Sequence, residues 1–69
     1  MENITFTQVQ SSNIISIGYS DNTLYVNYKS GTYKYDNVEK SVYESLMSSE
    51  SKGRFMNENI KGKYNYSRV

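Results

Sequence analysis

Thr23 to Val38 reads TLYVNYKSGTYKYDNV, and its alternation decides the fold. In the first half Leu24, Val26 and Tyr28 fall on one side of an extended chain and Tyr25, Asn27 and Lys29 on the other, the period-two pattern of a half-buried strand. The second half repeats it, with Tyr33 and Tyr35 on one face and Thr32, Lys34 and Asp36 on the opposite one. Between them Lys29-Ser30-Gly31 forms a turn in which Gly31 supplies the positive φ of a tight hairpin. Two strands alone do not persist in water. A third strand or a helix must cover the apolar face, which we expect to carry Leu24, Val26 and Tyr28 while Tyr25 looks outward.

Upstream, Ile14–Tyr19 (IISIGY) is a short apolar, β-branched run that begins the meander. Gly18 within it implies a bulge or a close approach by a neighbour, and Ser20-Asp21-Asn22 is a polar turn into the hairpin. Residues 1–10 alternate weakly through Ile4, Phe6 and Val9, as an extended edge segment does. Downstream, Asp36 or Asn37 is placed to cap a helix. Over Glu39–Ser48 the apolar stripe Val42, Tyr43, Leu46 and Met47 suits a helix laid on the sheet. Ser51 is placed to cap a second helix carrying Phe55, Met56 and Ile60, with Gly62 ending it. The last residues, KYNYSRV, alternate polar or basic groups with tyrosines and are expected to be extended or irregular, docked through Tyr64. The reading is one α+β domain over residues 1–69, an antiparallel β-meander of three to four strands packed against two short C-terminal helices.

Sixty-nine residues put this core near the lower limit for folding without staples, which leaves self-association into a homo-oligomer open. The chain has neither cysteine nor histidine. Disulfides, the usual zinc sites, the thiol nucleophile and the imidazole base are thereby excluded together. No metal or other cofactor is expected. No apolar run is long enough for a membrane span and no signal peptide is apparent, so a cytoplasmic, non-membrane protein is expected. The net charge of +1 hides an asymmetry. Residues 1–51 hold three lysines against six carboxylates, whereas residues 52–69 hold Lys52, Arg54, Lys61, Lys63 and Arg68 against Glu58 alone. The C-terminal quarter is a basic segment on a mildly acidic body.

In order and spacing the chain resembles the KTSC domain, a small module of bacterial and phage proteins also found at the C-terminus of some lysyl-tRNA synthetases. The resemblance runs through Ser11-Ser12-Asn13-Ile14, Ile17-Gly18-Tyr19, Leu24-Tyr25-Val26 and the Tyr33-Lys34-Tyr35 segment. It continues through Val42-Tyr43 with Leu46, then Ser51-Lys52-Gly53-Arg54-Phe55-Met56-Asn57, Ile60, Tyr64 and Arg68. Two departures stand out: no proline precedes the first helix, and Met56 takes the place of an aromatic residue. The resemblance implies a compact sheet with C-terminal helices and an RNA-binding role; it supplies no reaction.

Two groups of residues are candidates for function. Tyr33 and Tyr35 share a strand face and, with Tyr19, Tyr25 or Tyr28 on neighbouring strands, would form an exposed platform on which unpaired bases stack, with Tyr66 a further tyrosine among the basic groups of the tail; against this, tyrosine is a good strand residue whose ring packs and whose hydroxyl finds a partner. Lys52 and Arg54 flank Gly53 beside the start of the second helix, and with Lys61, Lys63 and Arg68 would give salt-dependent affinity for phosphate. The competing account makes Ser51 a cap, Gly53 the room for Phe55 to dock, and Arg54 the partner of Glu50, Glu58 or a carbonyl. A catalytic carboxylate pair among Asp36, Glu39, Glu44 and Glu58 is weak, because all fall on expected solvated faces or caps. The sequence therefore points to a non-enzymatic binding module for RNA or another nucleic acid. The alternative partner is a protein, with the chain as an interaction module or a phage-type inhibitor.

Overall fold

Two tight turns set the sheet. Asp21 and Asn22 both have positive φ, 50° and 60°, the geometry of the two-residue hairpin loop whose twist matches that of its strands. They join β2 (Ile14–Ser20) to β3 (Thr23–Tyr28). The next loop is Lys29-Ser30 alone, since Tyr28 pairs with Gly31 at the start of β4 (Gly31–Tyr35). Gly31 has φ +149°, and a Cβ there would lie 3.0 Å from two nitrogens of the Arg68 guanidinium. In this computed structural model, which describes residues 4–69, β1 (Phe6–Gln8) and β5 (Tyr66–Arg68) complete a five-stranded antiparallel sheet in chain order.

The expectation of three to four strands is corrected to five by the C-terminal segment. Residues 66–68 pair with β4 in the register Tyr35↔Tyr66, Lys34↔Ser67 and Tyr33↔Arg68. Backbone bonds from Asp36 N–H to Asn65 O and from Val69 N–H to Thr32 O, both 2.8 Å, extend the pairing. Tyr64 packs beside the core as expected, but the strand rather than that ring alone fixes the tail. At the other edge, β1 pairs with β2, and residues 1–3 of the expected edge segment lie outside the described residues. Gly18 leaves space for side chains: a Cβ would meet Ile4 Cγ2 at 2.8 Å and Phe6 Cδ2 at 3.2 Å. The bulge lies earlier in β2, between Ile14 and Ser16, and leaves Ile15 exposed.

α1 (Lys40–Ser48) and α2 (Lys52–Phe55), the latter running on through a π-helical turn (Met56–Ile60), cover one face. Neither helix has a side-chain cap. Asn37 instead takes a left-handed conformation, φ 58°, and the Glu39 carbonyl accepts from the Val42 and Tyr43 amides at 3.0 and 3.2 Å. The Ser51 amide donates to Ser49 Oγ at 3.2 Å, so the serine whose hydroxyl organises this junction is Ser49. Ile14, Ile17, Leu24, Val26, Tyr35, Val38, Leu46, Met56 and Ile60 form the buried core, in which Met56 fills the place where an aromatic was expected. The outer face of the sheet carries Tyr25, Lys34 and Ser67 in one row, as cross-strand partners require.

The strap from β4 into α1 is held by Tyr19. Its hydroxyl donates to the Val38 carbonyl at 2.6 Å, its ring stacks on Tyr43 at 4.8 Å, and the Val38 amide bonds Asn22 O at 2.8 Å. Val38 is fully buried. Replacing Tyr19 by phenylalanine keeps the stack and strands a buried carbonyl, so urea unfolding of Tyr19→Phe should show a loss of about 1–3 kcal/mol. An unchanged midpoint would mean that the bond contributes nothing net.

Candidate functional site

With an even-membered loop between them, β3 and β4 put cross-strand neighbours Val26 and Tyr33, and Leu24 and Tyr35, on the same face. Leu24, Val26 and Tyr28 face the helices as expected. Tyr33 and Tyr35 lie there too, and the exposed platform proposed for them is corrected: Tyr35 is 2% exposed and Tyr33 is half-buried. α2 does not reach across the whole face, so the tyrosines form the floor of an open cleft of about 950 Å³ between the sheet and α2. Tyr28 and Tyr33 meet edge to face at 5.6 Å. Tyr66, delivered by β5, adds a ring 6.0 Å from Tyr33 and 5.6 Å from Tyr35. It is 59% exposed and so offers a free aromatic face at the cleft.

One wall is the polar loop between β1 and β2, with Gln10, Ser11, Ser12 and Asn13. The other comes from residues 50–54 and from Asn57 on the π-helical turn, where the wider winding also brings Lys61 to the cleft through its amide bond to Met56 O at 2.7 Å. Lys29, Lys52, Arg54 and Lys61 line the space against Glu50 alone. The cationic excess of the C-terminal segment is thus joined by a lysine from the hairpin turn. Lys61 Nζ sits 5.2 Å from the centre of the Tyr28 ring, a cation–π contact. Lys52 Nζ donates to the Ser49 carbonyl at 3.0 Å, which holds the charge without cancelling it. Arg54 Nε pairs with Glu58 Oε2 at 3.0 Å across one helical turn. Both side chains are largely exposed, so the pair is worth only a few tenths of a kcal/mol and yields readily to a competing anion.

Six of the eight expected residues therefore come together: Tyr33, Tyr35, Tyr66, Lys52, Arg54 and Lys61. Lys63 does not join them; it lines a separate, smaller cleft with Val42, Phe55 and Tyr64. Arg68 stands at the margin, where Nη2 donates to the Ser30 carbonyl at 3.0 Å. The reading of Gly53 as room for Phe55 is also corrected, since a Cβ there would face Ser11. Lys29, Asn13 and Asn57 escaped the sequence reading, in which Tyr28 figures only as one candidate neighbour of Tyr33 and Tyr35. Lys29 lay in a turn and Asn13 beside another, where such residues are ordinary, and only the sheet register turns Tyr28 into the cleft. Among the described residues no group of three or more His, Cys, Asp or Glu gathers to hold a metal.

A family model described as the KTSC domain matches residues 10–64. The crystal structure of a KTSC domain protein from Yersinia pestis is similar to the chain at a TM-score of 0.93 and 38% identity, covering 97% of this chain and 99% of that one. A search of curated proteins gave no match. The stretch matched by the family model includes every residue of the cleft but Tyr66.

The floor has its own titration. The Tyr28 and Tyr35 hydroxyls lie 3.1 Å apart. Burial, first, and then this bond raise the Tyr28 phenol above its ordinary range; burial also raises Tyr35, outweighing the opposite pull of its bond to Tyr28. Because the folded state raises both above the unfolded value of about 10, their stabilisation is complete below that pH and is lost progressively as pH rises from there through the raised folded values. Urea unfolding at stepped pH should show stability falling above about pH 10, and the fall should be shallower in Tyr28→Phe. Identical slopes in the two proteins would count against the buried hydroxyl pair.

Proposed function

The chain belongs to the KTSC domain family, and from the cleft that this fold frames we propose that it is a non-enzymatic module that binds single-stranded nucleic acid, RNA foremost. The observation that carries the reading is the convergence of the exposed Tyr66 ring with the cations of Lys29, Lys52 and Lys61 around one tyrosine-floored cleft. Aromatic faces hold unpaired bases by stacking, and cations hold the phosphates between them. Neutral amides and hydroxyls on the opposite wall supply the donors and acceptors that sugars and base edges need. Duplex fits poorly, because its base faces are already stacked and the whole domain measures only 31 × 21 × 20 Å. A cytoplasmic location accords with this role, and no helix among the described residues is long and apolar enough to cross a membrane.

Fluorescence anisotropy with a short labelled oligoribonucleotide over a salt series tests the proposal. Three neutralised phosphates on a single strand give a log–log slope of about −2, on the order of tenfold weaker binding between 50 and 200 mM salt. Lys52→Ala and Lys61→Ala should each reduce the slope by about 0.7 and leave the melting temperature near that of wild type. A tyrosine-centred protein interface would respond far less to salt. Absence of binding by any single strand at low salt would sink the nucleic-acid reading.

A further inference from the structure

β5 carries no buried side chain: Tyr66, Ser67 and Arg68 are all exposed. A ladder of three residues offers few backbone bonds, and the ordering of each residue offsets most of what its bond contributes. Two side chains tip this balance toward docking. The Tyr66 ring rests beside Tyr33 and Tyr35, at 6.0 and 5.6 Å. Arg68 lies opposite Tyr33 and reaches over the start of β4 to the hairpin turn, where Nη2 donates to the Ser30 carbonyl at 3.0 Å. Its guanidinium passes so close to Gly31 that a Cβ there would stand 3.0 Å from Nε and Nη2. Before β5 the chain is anchored at Tyr64, which is half-buried and packs on the core.

We propose that β5 is a releasable wall of the cleft. Residues 65–69 dock on β4 and leave it as a unit while the rest of the fold persists, the Arg68 clasp over Gly31 sets the balance, and a ligand in the cleft holds the wall closed. Release is a local opening, because it uncovers no member of the aliphatic core and breaks bonds to one strand alone. Its effect on the cleft is large. Tyr66 departs from the lining, Tyr33 and Tyr35 lose the ring beside them, and the edge of β4 is bared. A ligand touching both Tyr66 and the rest of the cleft binds the docked state alone and stabilises it by mass action. The closing ligand rests on the nucleic-acid reading; the release does not.

Native-state hydrogen exchange, followed amide by amide, tests the release. Two amides report docking: that of Asp36, bonded to Asn65 O, and that of Val69, bonded to Thr32 O, both at 2.8 Å. In wild type their protection should be at least about tenfold below that of the bonded amides between β2 and β3, and low urea should leave it unchanged, since release exposes little surface. Arg68→Ala should lower it about a further fivefold, the scale of one hydrogen bond, with the urea midpoint of the whole domain unmoved. A saturating single-stranded oligoribonucleotide should raise it in wild type. Protection at Asp36 and Val69 that equals that of the β2–β3 amides and falls with urea in step with them would mean that β5 leaves only when the domain unfolds, and would overturn the proposal. Unchanged exchange in Arg68→Ala would overturn the clasp, and a bound oligonucleotide that left both amides unaffected would overturn the closing role. Failure of the oligonucleotide to bind would remove the nucleic-acid reading and the closing ligand together, whereas release is decided in the free protein.

Discussion

The β3–β4 register governs this molecule. With Tyr28 opposite Gly31, Val26 opposite Tyr33 and Leu24 opposite Tyr35, three tyrosines join the aliphatic side chains on the helix-covered face. A one-residue slip of β4 would turn Tyr33 and Tyr35 outward and take the cleft floor away. The loop therefore decides more than a local turn. It makes the inner face mainly aliphatic on β2 and β3 and aromatic along β4, with Tyr66 beside it on β5, and the cleft opens on that aromatic side.

The division of that face has an energetic logic. Leu46, Met56 and Ile60 from the helical half cover Ile17, Leu24 and Val26, where apolar burial is most favourable. The tyrosine hydroxyls could not be buried in the same way without partners. Tyr35 resolves this with Tyr28, and Tyr19 with the Val38 carbonyl. Tyr33 and Tyr66 remain partly open to solvent. Among the described residues no buried side-chain polar atom lacks a hydrogen-bond partner, so the cleft is bounded by a settled floor and not by a strained one. Its cations are held by weak contacts: a carbonyl for Lys52, a ring face for Lys61 and an exposed carboxylate for Arg54. Each is replaceable by an anionic ligand at small cost.

β5 shows how a three-residue element changes a surface. It adds a ladder to β4, brings Tyr66 over the other tyrosines and anchors Arg68 on the Ser30 carbonyl. The anchoring explains why Gly31 serves twice, once for its φ and once for the guanidinium packed against it. Lys63, only three residues before Tyr66, points its chemistry to a different cleft, because Gly62 (φ +85°) has turned the chain between the π-helical turn and the strand.

The sequence by itself determined the local elements. Period-two alternation marked β3 and β4 nearly to their ends, a short apolar β-branched run marked β2, and the stripe of Val42, Tyr43, Leu46 and Met47 marked α1, since all these patterns are set by neighbours within a few residues. Gly62 and the Asp21-Asn22 turn were legible for the same reason. Only the tertiary structure decided which way Tyr33 and Tyr35 face, that residues 66–68 form a strand, and that Lys29 joins Lys52 and Lys61 while Lys63 does not. Those facts depend on strand register and on pairing across some thirty intervening residues, where side-chain spacing carries no information about which distant backbone will supply the hydrogen bonds.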